Sequence, residues 1–381
     1  MNPARRLQLM LSYLFGILGV VVAINWLANP YGIWSPRLID KIYLRLGPGT
    51  DRLKAPYRVR SEQPTTLLLG SSRMLYGMPI EQGCRDGVFN AGISGASVDE
   101  IARIVEVARH NPRLRRVVWG LDFFAFQESY RGFRDSPTRA RLDGDAALLV
   151  RDTLLSTKAL EESWKLVFAA ARGQQRLAPT AQLPVPWPEG VIHDTLQALA
   201  GDSAAGLDQQ KFTRDLRQWV ELYTDYQLSS TQLDLLRQTV SQLAAAGIDV
   251  ILLVPPLHEY ELEAIRQTGR WQAFQDWKRA LADITPYWDY TGYNELAHSD
   301  WLFTAACFCH FHPVVGHIIL RQLLGDDCTQ CGGAAEVILK AGVHVDAGSV
   351  QQHLDEEEAW LHARVDPTSR YVQLTASILR H

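Results

Sequence analysis

A serine that attacks a carbonyl carbon needs a base to take its proton and backbone N–H groups to hold the oxyanion. The chain offers a candidate for each. Ser72 lies in Leu67-Leu68-Leu69-Gly70-Ser71-Ser72-Arg73, where an apolar run ends at a glycine and two hydroxyl residues follow. A run of that length, bounded by Pro64 and Gly70, suits a buried strand. A serine just past a parallel strand stands where open α/β sheets bind ligands. A strand followed by a polar turn explains the same residues without chemistry, because Ser and Gly are common in turns. His310, in Cys309-His310-Phe311-His312-Pro313, is a candidate base, or else a packed or surface histidine. Gly95 and Asp122 follow two further apolar runs, so their backbone can face the same rim. Arg73 can bind an anionic group or close a salt bridge.

A second constellation is rich in sulfur and imidazole. Cys307-Phe308-Cys309-His310-Phe311-His312 is followed by Cys328-Thr329-Gln330-Cys331. C-x-x-C beside histidines suits zinc, but C-x-C-H-x-H is not a common zinc spacing. In an oxidising compartment, disulfides are the expected fate of these thiols. Cys84 makes five cysteines, so at least one is unpaired. No metal is expected. Nothing reads G-x-x-x-x-G-K or G-x-G-x-x-G, so no nucleotide cofactor is expected either.

The elements that must position these residues alternate. Strands are expected at Thr65–Leu69, Val88–Asn90, 116–122, Val250–Val254 and 287–290. Ser97 and Glu100 form a capping box ahead of a helix with Ile101, Ile104, Val105 and Ala108 on one face, which stops near Asn111-Pro112. Leu233, Leu236, Val240 and Leu243 mark a helix closed by Gly247. Further helices carry Trp271, Phe274 and Leu281, and run from Val314 to Leu324. Strand–helix alternation predicts an α/β fold with a doubly wound, mostly parallel sheet between helical layers. Residues 127–230 interrupt it as a helical insertion, with helices near 146–172 and 208–226. That insertion is either a lid over the sheet's rim or a packing appendage. The expected organisation is a membrane anchor and juxtamembrane segment at 1–37, the α/β domain at 38–330 and a helical tail at 331–381, with one helix near 350–363.

Hydrophobic residues at 47% and charged residues at 21% argue against global disorder. A net charge of −4 gives no reason to expect nucleic acid as a partner. The N-terminus is more specific. Leu9 to Leu27 is almost wholly apolar and about long enough to cross a bilayer. Arg5 and Arg6 favour a cytoplasmic N-terminus, and Trp26, Tyr31 and Trp34 suit the far interface. An uncleaved single-pass anchor is expected, with the main domain outside the cytoplasm; a cleaved signal peptide is the alternative.

The order of Ser72, Gly95, Asp122 and His310 along this alternation resembles the SGNH (GDSL-like) hydrolase superfamily, especially its membrane-anchored envelope members. These include alginate O-acetylation proteins and the D-alanyl-lipoteichoic acid transfer protein. The resemblance covers roughly residues 60 to 330 without the insertion. Gly70-Ser71-Ser72-Arg73 is similar to the first block, which makes Ser72 the implied nucleophile. Asn90-Ala91-Gly92-Ile93-Ser94-Gly95 is similar to the second, whose last glycine donates to the oxyanion. His310-Phe311-His312-Pro313-x-x-Gly316 is similar to the last, with His310 as base. The third block usually supplies an asparagine donor, and Asp122 stands there; an ionised carboxylate cannot donate. An aspartate usually lies three residues before the histidine, and Cys307 stands there, leaving Asp289 or Asp300 to substitute. The resemblance implies an SGNH-like, flavodoxin-like three-layer fold in the periplasm, anchored in the bacterial inner membrane. It implies an esterase or O-acyltransferase working on an envelope polysaccharide with a membrane acyltransferase partner. A catalytically impaired binding or scaffold protein in the same machinery is the alternative.

Overall fold

The computed structural model describes residues 2–34, 50–78, 87–132, 142, 144–173, 185–201, 209–304, 308–326 and 328–380; side chains are described for all of these except 50 and 209–211. The apolar N-terminal segment forms α1 (Pro3–Ala28), a helix long and apolar enough to cross a membrane, with its most apolar stretch wholly unburied. At 1.5 Å per residue its 26 residues reach about 39 Å. α2 (Thr50–Glu62) follows, a helix hidden from sequence reading by Pro56 in its interior and by its many charges.

The α/β unit then runs β1 (Thr66–Leu69), α3 (Ser72–Gly77), β2 (Val88–Asn90), α4 (Val98–Ala108) and β3 (Arg116–Gly120). β1 and β3 are buried apolar runs, as central parallel strands must be. The capping box at the start of α4 is present, with the Ser97 N–H donating to Glu100 at 3.1 Å. After the insertion come α9 (Ser230–Ala245), β4 (Asp249–Val254), α10 (Glu259–Gln267), α11 (Trp271–Ala282), β5 (Tyr287–Asp289) and α12 (Pro313–Leu323).

The strand order is β2-β1-β3-β4-β5-β6, parallel except for the last pair. Order 2-1-3-4-5 is one of the two common doubly wound orders, and its direction reverses between β1 and β3. Right-handed crossovers place α3 on one face and α4, α9 and α11 on the other. Accordingly α4 packs on α9, and α12 returns to pack on α3. That last contact is close: a Cβ on Gly316 would sit 1.9 Å from the Gly77 carbonyl oxygen, so only glycine fits there.

Residues 331–381 are more than the single helix expected. They form α13 (Gly333–Ala341), β6 (Val343–Val345), α14 (Val350–Arg364) and α15 (Arg370–Leu379). β6 pairs antiparallel with β5 and extends the sheet.

The insertion divides three ways. Its helices are α5 (Ala146–Thr153), α6 (Thr157–Ala171), α7 (Glu189–Gly201) and α8 (Gln209–Thr224). α6 packs along α1, α7 packs on α12 and α13, and α8 packs on α10 and α15. α8 lies over the carboxyl-end rim, where the Trp219 ring covers the Arg73 guanidinium. The lid expectation suits α8 in position, and the appendage expectation suits α5 to α7.

Candidate functional site

The two serines after β1 have different surroundings. Ser71 is the N-cap of α3; its Oγ accepts from the Arg73 N–H at 3.2 Å. Ser72 is the first helical residue and half-buried. A first-turn N–H has no partner inside its helix, and among the described residues the Ser72 N–H finds none elsewhere. Tyr76, one turn on, shares the face of Ser72. Its ring meets His310 edge-on at 5.1 Å, and its hydroxyl lies 3.3 Å from Ser94 Oγ. Ser72, His310 and the Ser94–Gly95 turn therefore gather around one exposed side of α3. Among the described residues no hydrogen bond joins Ser72 to His310, whose Nδ1 lies 3.4 Å from Cys309 Sγ.

The Ser94–Gly95 turn is held from behind. Arg52, fully buried, pairs with Glu100 and donates to the carbonyls of Ser94 (2.8 Å) and Gly95 (3.2 Å). Tyr130 donates to the Gly95 carbonyl at 2.8 Å, and Asp51 accepts the Ser94 N–H at 2.7 Å. In a trans peptide the C=O and the next N–H point in opposite directions. Fixing the Ser94 carbonyl on Arg52 therefore turns the Gly95 N–H away from it. Among the described residues that N–H has no acceptor. The turn needs φ +57° at residue 95, which glycine adopts without strain.

Beneath this face lies a buried charge cluster. Arg73 follows β1, Asp122 follows β3 and Glu261 lies in α10 after β4; the guanidinium pairs with both carboxylates. Its Nε donates to the Cys309 carbonyl at 3.2 Å, so one side chain ties four segments of the rim together. Phe124 and Trp219 stack over it. Burial works against the charge of Arg73, but Glu261 and Asp122 hold its pKa above the usual value. Burial also pushes the Glu261 carboxyl up to about 7, against the pull of Arg73 and the Tyr223 hydroxyl. Burial is the main cause, because a charge taken out of water favours its protonated form, and repulsion from Asp122 adds to it. Between β1 and β3, at the switch point, a cavity of about 10 Å³ is lined by Ser71, Ser97, Gly120 and Asp122 among others, room for no more than a water.

Asp122 thus spends its carboxylate on Arg73, and the site has no side-chain donor from that position. Arg73 is a buried clamp, not an exposed anion binder. Cys307 and Cys84 lie outside the described residues. Asp289 and Asp300 do not serve His310: Asp300 pairs with His258 at 2.9 Å and with Arg370, and Asp289 pairs with Lys278 and His353. Cys328 and Cys331 form a disulfide and Cys309 is also disulfide-bonded, which removes three of the thiolates a zinc site would use. Asp289, His353 and Glu357 bring metal-type ligand atoms within 4.8 Å of one another. The Lys278 ammonium already bonds both carboxylates there, so the place a cation would take is filled.

Sequence reading missed Arg52, Tyr130, Trp219, Tyr223 and Glu261. One signal was available. Arg73, Asp122 and Glu261 stand four, two and seven residues past the carboxyl ends of β1, β3 and β4, and the segments after parallel strands converge on one rim. In comparisons with known proteins, no family model matches the chain and no curated protein is significantly similar to it.

Proposed function

We propose that the chain is a membrane-anchored, extracytoplasmic SGNH-like serine esterase or O-acyltransferase acting on acyl groups of a cell-envelope polysaccharide. The observation that carries this reading is the Arg52-held turn, in which the Gly95 N–H, like the Ser72 N–H, has no acceptor among the described residues. Two such donors, fixed in advance, are what an oxyanion needs. In the reaction, Ser72 Oγ attacks the ester carbonyl as His310 takes its proton. The tetrahedral oxyanion rests on the N–H groups of Ser72 and Gly95. Its collapse breaks the ester C–O bond, and the leaving alkoxide takes the proton from His310. Water or a glycan hydroxyl then releases the acyl group by the same steps. A membrane acyltransferase would be the natural acyl source, and the periplasm the natural setting.

The test is a fluorophosphonate probe on the full chain in detergent, with aryl acetate turnover alongside. Stoichiometric labelling that disappears in Ser72→Ala supports the reading; a folded, unlabelled wild type sinks it. A second reading has its own support in the Asp122–Arg73 ion pair, which leaves that position no side-chain donor for an oxyanion. Under it the rim binds glycan without turnover, and the unlabelled wild type would retain glycan.

A further inference from the structure

The insertion carries an apolar surface that the acyl-transfer reading does not use. Trp164 and Phe168 sit one turn apart on α6, 46% and 55% exposed, with ring centroids 5.8 Å apart. α6 starts polar: Thr157, Lys158 and Glu161 share its outer face. From Trp164 to Ala171 (WKLVFAAA) it is apolar except for Lys165. The Lys165 ammonium turns back to Glu161 and Glu162 at 2.6 and 3.1 Å, toward the polar half.

The direction of α6 fixes where this apolar half goes. Ala159 packs in a small core with Tyr31, just past α1, and Ser163 donates to Asn25 Oδ1 inside α1. Asn25 also donates to the Leu154 and Ser156 carbonyls just ahead of α6, so α6 starts beside the carboxyl end of α1 and packs along it. Val21 and Val22 are half-buried, whereas residues 12–20 are exposed. The eight residues after Ser163 carry α6 about 12 Å further beside the apolar body of α1.

We propose that the Trp164–Ala171 half of α6 is embedded in the bilayer interface at the carboxyl end of α1, with lipid covering Trp164 and Phe168. The proposal rests on the reading of α1 as a membrane-spanning helix. The occupant follows from continuity, since the patch prolongs the surface that α1 offers to lipid. Tryptophan is enriched at that depth. Lys165 and Arg172 have stems long enough to keep their charges in water or among phosphates. A second contact of this kind fixes the domain's tilt on the membrane, which one helix and a linker do not. It also bears on the site. Leu53 and Tyr57 of α2 share the small core with Ala159, while Asp51 and Arg52 of the same helix hold the Ser94–Gly95 turn.

The test places benzoylphenylalanine singly at Phe15, Phe168 and Lys158 of the full chain in phosphatidylethanolamine–phosphatidylglycerol membranes, with adducts identified by mass after illumination. Phospholipid adducts are expected at 15 and 168 and are expected to be lost at 158. Adducts at 15 but none at 168 overturn the proposal and leave α1 in the bilayer. No adduct at 15 overturns the spanning reading, and with it the bilayer contact built on it. A protein adduct at 168, to a second copy or another chain, overturns the lipid assignment.

Discussion

Two buried charge clusters hold this molecule together, and they differ in how they balance. At the rim, Arg73 faces Asp122 and Glu261. At the far edge of the sheet, Lys278 of α11 faces Asp289 of β5 and Glu357 of α14, with His353 3.0 Å from Asp289. Each has one permanent cation for two carboxyls. At the edge the donors are unequal. Asp289 accepts from Thr291 N and Oγ1 at 2.8 and 2.6 Å as well as from Lys278 and His353, and although burial opposes it, these partners hold its pKa well below the usual range. Among the described residues one Glu357 oxygen has no partner, and burial pushes its pKa up. The edge cluster thus has a committed anion and an uncommitted one. Among the described residues the rim cluster holds Glu261 with Arg73 and the Tyr223 hydroxyl, and burial leaves it poised near neutrality.

The contrast predicts unequal responses to losing the cation. Lys278→Met strands Asp289, whose many donors keep it ionised in a fully buried place. Removing one partner of a buried pair costs about 3–5 kcal/mol, and it also removes the α11–α14 ion pair to Glu357. Urea unfolding of the full chain in detergent should show that loss at every pH from 6 to 8. A loss under about 1 kcal/mol, the worth of an exposed pair, would mean that the edge cluster is open to solvent.

Glu261 gives the next largest effect, and its sign follows from the direction of its shift. Its folded pKa of about 7 lies above the unfolded carboxyl value, so its contribution is fully present below about pH 4.5 and is lost as pH rises through 7. A shift of that size corresponds to about 3 kcal/mol. Glu261→Gln removes the titration. Its stability relative to wild type should therefore climb by roughly that amount between pH 4.5 and 8.5. A flat difference across this range would show that Arg73 holds Glu261 ionised throughout, unlike Glu357 at the edge.

Much of the scaffold was legible because it is locally determined. β1, β2 and β4 are apolar runs bounded by glycine or proline, and the Ser97–Glu100 box lies within four consecutive residues. The order Ser72, Gly95, Asp122, His310 pointed to one rim at the carboxyl ends of the strands; Tyr76, one turn after Ser72, meets both His310 and Ser94. What was not legible depends on distant partners. α10 reads EYELEAIRQ, a surface helix by composition, yet Glu259, Glu261 and Glu263 are all buried against partners elsewhere. β6 is three residues long and is a strand only because β5 leaves an edge to pair. Arg52 finds Glu100 48 residues away and Arg73 finds Glu261 188 residues away, separations over which one sequence holds no periodicity.

The smallest effect falls on the adjacent serines and separates structure from chemistry at the rim itself. Ser71 caps α3 through Oγ, and losing such a cap costs about 1 kcal/mol. Ser72 Oγ has no hydrogen-bond partner among the described residues, and half-buried positions of this kind change stability by roughly 0.5 kcal/mol or less. Ser71→Ala should therefore lower the unfolding midpoint while fluorophosphonate labelling persists. Ser72→Ala should leave the midpoint in place and abolish labelling. The reverse pattern, with labelling surviving only in Ser72→Ala, would move the nucleophile to Ser71, whose hydroxyl points into the first turn of α3. There it would have to give up the Arg73 N–H to react, and the free donors at Ser72 and Gly95 would need another purpose.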